Sequence, residues 1–155
     1  MPPVAKSFED ADQVTDASGV REELITLGDH TVGRVTHQPG WRWSTHTRPT
    51  VGTERCQTRH VGVVISGRMG VELADGTILD IGPDTVFDIP PGHDGWTVGP
   101  EPLVTIDWTG VREWLVPRPR RAGPRDDPLH RHRRFDRLRE APWRPSVAKH
   151  PGRSR

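Results

Sequence analysis

The sequence predicts a single all-β domain, and two observations carry this prediction. From Leu24 onward the chain runs as short segments rich in valine, isoleucine and threonine, each bounded by glycine, proline or aspartate. Eight or nine short strands at this spacing are typical of an all-β sandwich or barrel. The dipeptide Asp75-Gly76 adds a strong hairpin signal, because both central residues of a type I′ turn need positive φ. No helical periodicity competes with the pattern in this region.

The predicted strands follow one another closely along the chain. In the third of them, Trp41 and Trp43 alternate onto one face, where we expect core or interface aromatic residues rather than stacking platforms. Turns are predicted at Asp75-Gly76 and at Gly82-Pro83-Asp84. In chain order, the predicted strands are LITL, TVGRVTH, WRWSTH, HVGVVIS, RMGVELA, TILDI, TVFDIP, WTVG and LVTIDW.

The composition predicts that the folded domain is shorter than the chain. Only 32% of the 155 residues are hydrophobic, and glycine and proline contribute 16 residues each. This apolar content is too low to build a core from the whole chain. We therefore predict a flexible leader over residues 1–20, a barrel over residues 21–115 and a disordered tail rich in proline and arginine over residues 116–155.

The balance of charge also changes at the predicted end of the barrel, after residue 115. Residues 1–115 carry nine Lys and Arg against seventeen Asp and Glu, whereas residues 116–155 carry thirteen against four. A basic tail can bind polyanions weakly through counterion release, but no nucleic-acid-binding fold is recognisable, so we expect no other nucleic-acid binding. No apolar run has the roughly 18 residues of a membrane span. The N-terminus has no secretory signal pattern and Cys56 is the only cysteine, so we expect a cytoplasmic protein.

Residues 39–108 resemble the cupin superfamily, in particular small single-domain bacterial cupins of unassigned function. The resemblance rests on IPPGHDGW at residues 89–96 and on the glycine-punctuated strands before it. Cupins have a first motif G-x5-H-x-H, x3 or x4, Glu, x6, Gly, and a second motif G-x5-P-x-G-x2-H. His60, followed by VGVVIS and Gly67, occupies the glutamate position of the first motif. The resemblance implies a double-stranded β-helix, or jelly-roll, barrel.

The rest of the first motif fits in two ways, and both stay open. Counting back from His60, Glu54 and Cys56 replace the two histidines. Counting forward from Gly40, His46 takes the first histidine position and Arg48 the second. The two alignments are incompatible unless the intervening loop is longer than in the family pattern.

The second motif also departs from the family. Pro90, Pro91 and Gly92 are present, but the family's histidine position falls on Gly95, and His93 lies two residues earlier. This offset puts the usual four-ligand metal site of the family in doubt.

The resemblance implies a divalent metal ion and a small molecule at the barrel mouth. Carboxylate, thiolate and imidazole are competent ligands for Zn²⁺, Fe²⁺, Ni²⁺ or Mn²⁺, and a thiolate favours zinc or iron over hard cations. A histidine outside the metal ligands is a natural general base, and an arginine can grip a substrate carboxylate. The candidates are His60, Cys56, Glu54 and His46 as metal ligands, His93 and His46 as catalytic residues, and Arg48 and Trp96 as substrate-binding residues.

Each candidate also has a purely structural explanation. His60 can be a strand histidine bonded to a backbone carbonyl, and a free cysteine packs as a small hydrophobic residue. Glu54 can be a solvated loop carboxylate, Arg48 surface charge, and the other histidines turn caps. Sequence alone therefore leaves two functions open. One is a metal-dependent enzyme acting on a small oxygen-bearing metabolite (isomerase, dioxygenase, lyase or cyclase), and the other is a metal-free, non-catalytic binding or regulatory protein. We expect a homodimer in either case.

Overall fold

The structure is a computed structural model that describes residues 1–111 of the chain. Nine strands form two antiparallel sheets, with a short 3-10 helix at Phe8–Asp10 before them. The tail predicted over residues 116–155 lies outside the described residues. The strands are β1 Gln13–Ala17, β2 Val20–Leu27, β3 His30–His37, β4 His60–Ser66, β5 Arg68–Leu73, β6 Ile78–Ile81, β7 Val86–Ile89, β8 His93–Val98 and β9 Leu103–Thr109.

The order of the strands is that of a double-sheet jelly roll. The larger sheet runs β1-β2-β3-β9-β4-β7 and the smaller runs β6-β5-β8. Residues of both sheets meet in one buried cluster, in which Val64 of β4 and Leu103 of β9 contribute alongside Val71 of β5. The β3-β9-β4-β7 strands therefore pack across the core from β6-β5-β8, as the two halves of a jelly roll do. The predicted all-β jelly-roll class is confirmed.

A second buried cluster lies at one end of the barrel. Its members are the side chains of Val20, Val35, Trp41, Trp43 and Cys56. Trp41 and Trp43 are both buried, as expected for core aromatic residues. This cluster matters for function because it brings the only cysteine of the chain to the inside of the barrel.

The N-terminal region differs from the predicted leader. Gln13–Ala17 forms β1, which pairs with β2 along its whole length. The connection is the two-residue turn Ser18-Gly19, in which both residues have positive φ, 50° and 81°. Two positive φ values are the mark of a type I′ hairpin turn, and its twist matches that of the paired strands. Ser-Gly was thus an available hairpin signal, but β1 is too exposed to show apolar alternation.

The predicted strand WRWSTH is absent from the structure. In its place are a π-helical turn at Trp43–Thr47 and a helix, α1, at Arg48–Val51, with a proline in its first turn. Two isolated bridges, Arg42 to Trp96 and Cys56 to His93, hold this region against β8. Proline has no N–H for a strand ladder, which explains why regular pairing stops here. We call residues 41–56 the bridged segment.

The hairpin predicted at Asp75-Gly76 forms between β5 and β6, but with another turn. Only Gly76 of the pair has positive φ, 86°. Gly76 N donates to the carbonyl of Leu73, and Asp75 Oδ1 accepts from the backbone N–H of Thr77 at 2.9 Å. Aspartate here stabilises the turn through its side chain, so a left-handed backbone is not needed at that position.

Several large apolar side chains remain exposed on the strands. They do not by themselves define a partner surface, so the expected homodimer stays a prediction. No helix within residues 1–111 is long and apolar enough to cross a membrane. The exposed side chains on strands are Val14, Ile65, Ile78, Leu79, Val86 and Trp108.

Asp94 anchors the bridged segment to β8, and its removal should destabilise the fold. Its carboxylate is buried and accepts from Arg42 Nε at 2.7 Å, from Ser44 Oγ at 2.8 Å and from Ser44 N at 3.0 Å. We expect Asp94→Ala to lower the free energy of unfolding by about 2 kcal/mol, because these donors lose a buried acceptor.

Urea unfolding followed by tryptophan fluorescence measures this loss. The matched control is Asp88→Ala, because Asp88 also pairs with an arginine, Arg59, at 2.6 Å, but both side chains are more than half exposed. An exposed pair of this kind contributes little to stability, because water screens it. Equal losses in the two variants would contradict the anchoring role of Asp94.

Candidate metal centre

Three donor side chains converge inside the barrel. The ligand-competent atoms of Cys56, His60 and His93 all lie within 4.8 Å of one another. Cys56 Sγ is 3.5 Å from His60 Nε2, and the two imidazole rings meet edge to face with centroids 5.4 Å apart. Cys56 and His93 are buried and His60 is half-buried. Such a group of soft and intermediate donors is suited to a transition-metal ion.

The backbone around the Pro-Pro-Gly turn places two of these side chains. Cys56 N donates to His93 O at 2.9 Å, and Gly92 N donates to Cys56 O at 2.7 Å. Gly92 has a φ of 92°, which permits this tight turn into β8. The pairing fixes Cys56 beside His93, although the two residues belong to distant parts of the sequence.

His60 reaches the same point from the opposite sheet. It is the first residue of β4 and shares its inward face with Gly62 and Val64. Gly62 pairs with Asp107 of β9, and the carboxylate of Asp107 lies against the glycine. From there Asp107 Oδ2 is 3.6 Å from His60 Nδ1. The carboxylate therefore faces the side of the imidazole opposite to Cys56.

Both histidines present the same nitrogen to the cluster. His93 Nδ1 is 2.7 Å from the carbonyl oxygen of Pro90, and because a carbonyl oxygen only accepts, this nitrogen carries the hydrogen and donates the hydrogen bond. His60 Nδ1 faces Asp107. In each ring Nε2 consequently lies on the side of the cysteine, where a metal ion would bind. An oxygen acceptor behind a ligating imidazole is the usual means of fixing its tautomer and orientation.

Cys56 and His60 strongly shift each other's pKa. Burial alone raises the pKa of the Cys56 thiol, but hydrogen bonds from His60 and His93 and their charge outweigh it and lower that pKa to about 6. Burial lowers the pKa of His60, whereas Asp107 and Cys56 raise it to a net value of about 9. A thiolate facing an imidazolium is therefore the form expected near neutral pH in the absence of metal.

One distance in the cluster matches that between two ligands of the same metal ion. Zinc–sulfur and zinc–nitrogen bonds of about 2.3 and 2.05 Å at the tetrahedral angle place sulfur and nitrogen about 3.6 Å apart. The observed distance from Cys56 Sγ to His60 Nε2 is 3.5 Å. Cys56 and His60 can therefore hold one ion, with His93 as a third donor.

A pocket opens onto the three donors. It encloses about 530 Å³, a volume that includes open solvent at its mouth. His37 also lines it, 4.3 Å from Trp41 between ring centroids. Burial, and then the charge of His60, lower the pKa of His37 to about 3, so its imidazole stays neutral at physiological pH. The other polar side chains on the wall are Thr105 and Asp107.

The structure brings together some of the residues that the sequence singled out and separates others. Cys56, His60 and His93 form the cluster, and Trp96 lies on the pocket wall. His46 instead lies against the backbone of Arg42, whose N–H is 3.1 Å from His46 Nδ1. Glu54 and Arg48 are exposed. Neither of these two nor His46 is among the described residues that line the pocket.

Two polar residues of the pocket, His37 and Asp107, were not found from the sequence. Asp107 had a signal, since it follows Leu103 and Thr105 at period two on the inward face of β9. A carboxylate on the buried face of a strand needs a partner, and His60 is that partner. His37 ends β3 on the face of Val35, but nothing in its local sequence distinguishes it from a core histidine.

No protein-family model matches the sequence, and no curated protein matches it either. Among solved structures, a protein of unknown function from Rhizobium leguminosarum bv. viciae 3841 is 22% identical, with a TM-score of 0.52 over 70% of this chain and 97% of that one. That likeness and the jelly-roll strand order agree on the architecture. The chain has a double-sheet jelly-roll fold.

Two further structures carry the cupin name. An RmlC-like cupin from Shewanella frigidimarina NCIMB 400 is 19% identical, with a TM-score of 0.49 over 72% of this chain and 94% of that one. A cupin-like protein from Thermotoga maritima MSB8 is 20% identical, with a TM-score of 0.42 over 62% and 75%. At these identities the comparisons concern the fold alone, so the function of this barrel is argued from its own side chains.

Proposed function

We propose that this protein is a metal-dependent cupin enzyme that acts on a small oxygen-bearing molecule. Cys56, His60 and His93 hold one divalent ion, with zinc or iron favoured by the thiolate. The observation that carries the proposal is the convergence of these three donors within 4.8 Å at the pocket. A bound divalent ion supplies Lewis-acid polarisation of an oxygen atom or a lowered pKa for bound water.

The protein's own side chains have distinct roles in this proposal. Asp107 and the carbonyl of Pro90 orient the two imidazoles, so that each presents Nε2. The apolar walls exclude water and bind the body of the substrate. His93, which the sequence offered as a general base, is assigned here to the metal.

The test is elemental analysis of the purified full-length chain for zinc, iron, nickel and manganese. We expect close to one metal ion per chain, and a loss of at least about tenfold in metal content in His60→Ala and in His93→Ala, since each removes one of three ligands. His46→Ala is the matched control and should retain the metal, because His46 lies outside the cluster. Absence of metal even after reconstitution would refute the proposal and leave a ligand-binding barrel.

The same residues favour a second candidate, a metal-free protein with a nucleophilic thiol. Cys56 Sγ, His60 and Asp107 form a chain with links of 3.5 and 3.6 Å, the order in which a nucleophile, a base and an orienting carboxylate act. Alkylation by iodoacetamide separates the two candidates. Protection of Cys56 in the protein as purified, removed by a chelator, favours the metal centre, whereas rapid alkylation without a chelator favours the thiol.

A further inference from the structure

The wall of the pocket is aromatic and aliphatic. Besides the metal-ligand candidates, its polar side chains are His37, Thr105 and Asp107, and none of the described residues that line it is Lys or Arg. Flat aromatic faces favour a planar ring as the bound group, through offset stacking and edge contacts. The large apolar side chains on the wall are Trp41, Trp43, Phe87, Met69 and Leu103.

The arginines nearest to this region already have acidic partners. Arg42 binds Asp94 at 2.7 Å, and its guanidinium lies 4.6 Å from the ring centroid of Trp96. Arg59 makes a bidentate pair with Asp88. A substrate carboxylate would have to break one of these pairs to find a guanidinium. Recognition of an anionic substrate by arginine, which the sequence suggested for Arg48, therefore has no support in the described pocket.

The net charge of the site with a metal ion bound also favours a neutral ligand. A cysteine bound to a metal is a thiolate, so Cys56 and the carboxylate of Asp107 together carry two negative charges. A divalent ion carries two positive charges and leaves the site near neutrality. Asp107 Oδ1 is buried and has no hydrogen-bond partner among residues 1–111, so no donor spreads that negative charge further. An anionic ligand would lose its hydration and would find no cationic Lys or Arg side chain on the described wall.

We infer that the ligand of this pocket is a neutral, single-ring aromatic molecule that carries one oxygen-bearing group. The ring lies among the indole and phenyl side chains, and the oxygen-bearing group is directed at the metal. The direction of that group rests on the proposed function, whereas the neutrality and the aromatic character rest on the pocket wall.

Phe87 places an aromatic ring beside the candidate metal centre. Its Cζ and Asp107 Oδ1 both lie 2.8 Å from the position that a Cβ on Gly62 would take, so the tip of the ring lies close to the carboxylate that faces His60. Phe87 is buried and lines the pocket, and its ring is held by core packing before any ligand arrives, which reduces the entropic cost of binding. Trp96 also borders the pocket, but its indole lies over Gly70, on the face of β5 opposite to Val71.

Benzamide and benzoate provide a matched test, since they share shape and size and differ in charge. Calorimetric titration of the full-length, metal-loaded chain should show benzamide binding at least about tenfold more tightly than benzoate. Acetamide, which lacks the ring, should show no saturable binding. Phe87→Leu should weaken benzamide binding about three- to tenfold through loss of aromatic contact, whereas Trp108→Leu, at an exposed position outside the pocket lining, should leave it unchanged.

Metal content is measured in the same samples, so that failure of the proposed metal centre can be distinguished from failure of the proposed aromatic ligand. Benzoate binding as tightly as benzamide, or no saturable benzamide binding by metal-loaded protein, overturns the inference and leaves the metal centre intact. Benzamide preference in protein that takes up no metal supports the neutral aromatic ligand and refutes the proposed enzyme.

Discussion

Gly62→Ala is expected to destabilise the barrel by about 3 kcal/mol or more, the upper range for overpacking a buried site. A Cβ at this position would collide with the backbone carbonyl of Ile106 and lie 2.8 Å from both Asp107 Oδ1 and Phe87 Cζ. The backbone of β9 cannot yield without breaking its pairing with β4. The cost is steric, because Gly62 is an ordinary strand residue without positive φ.

Urea unfolding measures the effect of Gly62→Ala. The control is Gly95→Ala, also on a strand, where a Cβ would meet only Gly70 O at 3.7 Å. That variant should keep wild-type stability or gain a few tenths of a kcal/mol, since alanine restricts the unfolded chain. An unfolding midpoint for Gly62→Ala within error of wild type would show that β9 and Asp107 can move, and would remove the tight packing on which the orientation of His60 depends.

The Cys56 thiol is expected to ionise with a midpoint near pH 6 in the metal-free protein, well below its ordinary value of 9.0. Cys56 is the only cysteine of the chain, so the ultraviolet thiolate absorbance reports on this group alone. In His60→Gln the midpoint should rise sharply, because burial remains while the main stabilising imidazolium is lost. His46→Gln should leave it unchanged. A wild-type midpoint at or above 9 would contradict the thiolate–imidazolium pair.

The pair also has a definite consequence for stability. The lowered pKa of Cys56 contributes stability above pH 9 that is lost as the pH falls through 6, so this contribution grows with pH between those values. The raised pKa of His60 contributes stability below 6.5 that is lost as the pH rises through 9. The two slopes oppose each other between about 6.5 and 9. The free energy of unfolding of the metal-free protein should therefore vary little across this window.

Much of the fold was predictable because β-strands leave local signals. Segments such as HVGVVIS and RMGVEL have the right residue types and clear turn residues at their ends, and both form strands. The third predicted strand failed because Trp43–Thr47 form a π-helical turn, which Ser44 ties to Asp94, a residue distant in the sequence. The β1 strand was missed because an exposed edge strand needs little apolar alternation.

The site was less predictable because its geometry depends on contacts between segments that are distant in the sequence. Spacing suggested Glu54, Cys56 and His60 on one strand face, but the chain between Cys56 and His60 is not regular strand, and Glu54 is exposed. His93 meets the cysteine through an isolated bridge between distant segments, which no local periodicity reveals. Asp107 reaches His60 only because its cross-strand neighbour is glycine.

The way in which the bridged segment is attached separates ligand release from global unfolding of the barrel. A regular fourth strand beside β8 would be as slow to detach as the sheet itself, whereas this segment is joined to β8 by isolated bridges and by the side-chain bonds of Asp94. Detaching it would leave both sheets paired but would remove Trp41, Trp43 and Cys56 from their buried cluster, so the cost of opening is set by side-chain burial rather than by strand pairing. Ligand residence time and global unfolding rate can thus change independently, and substitutions in residues 41–56 can tune how long a molecule stays bound while the barrel remains intact.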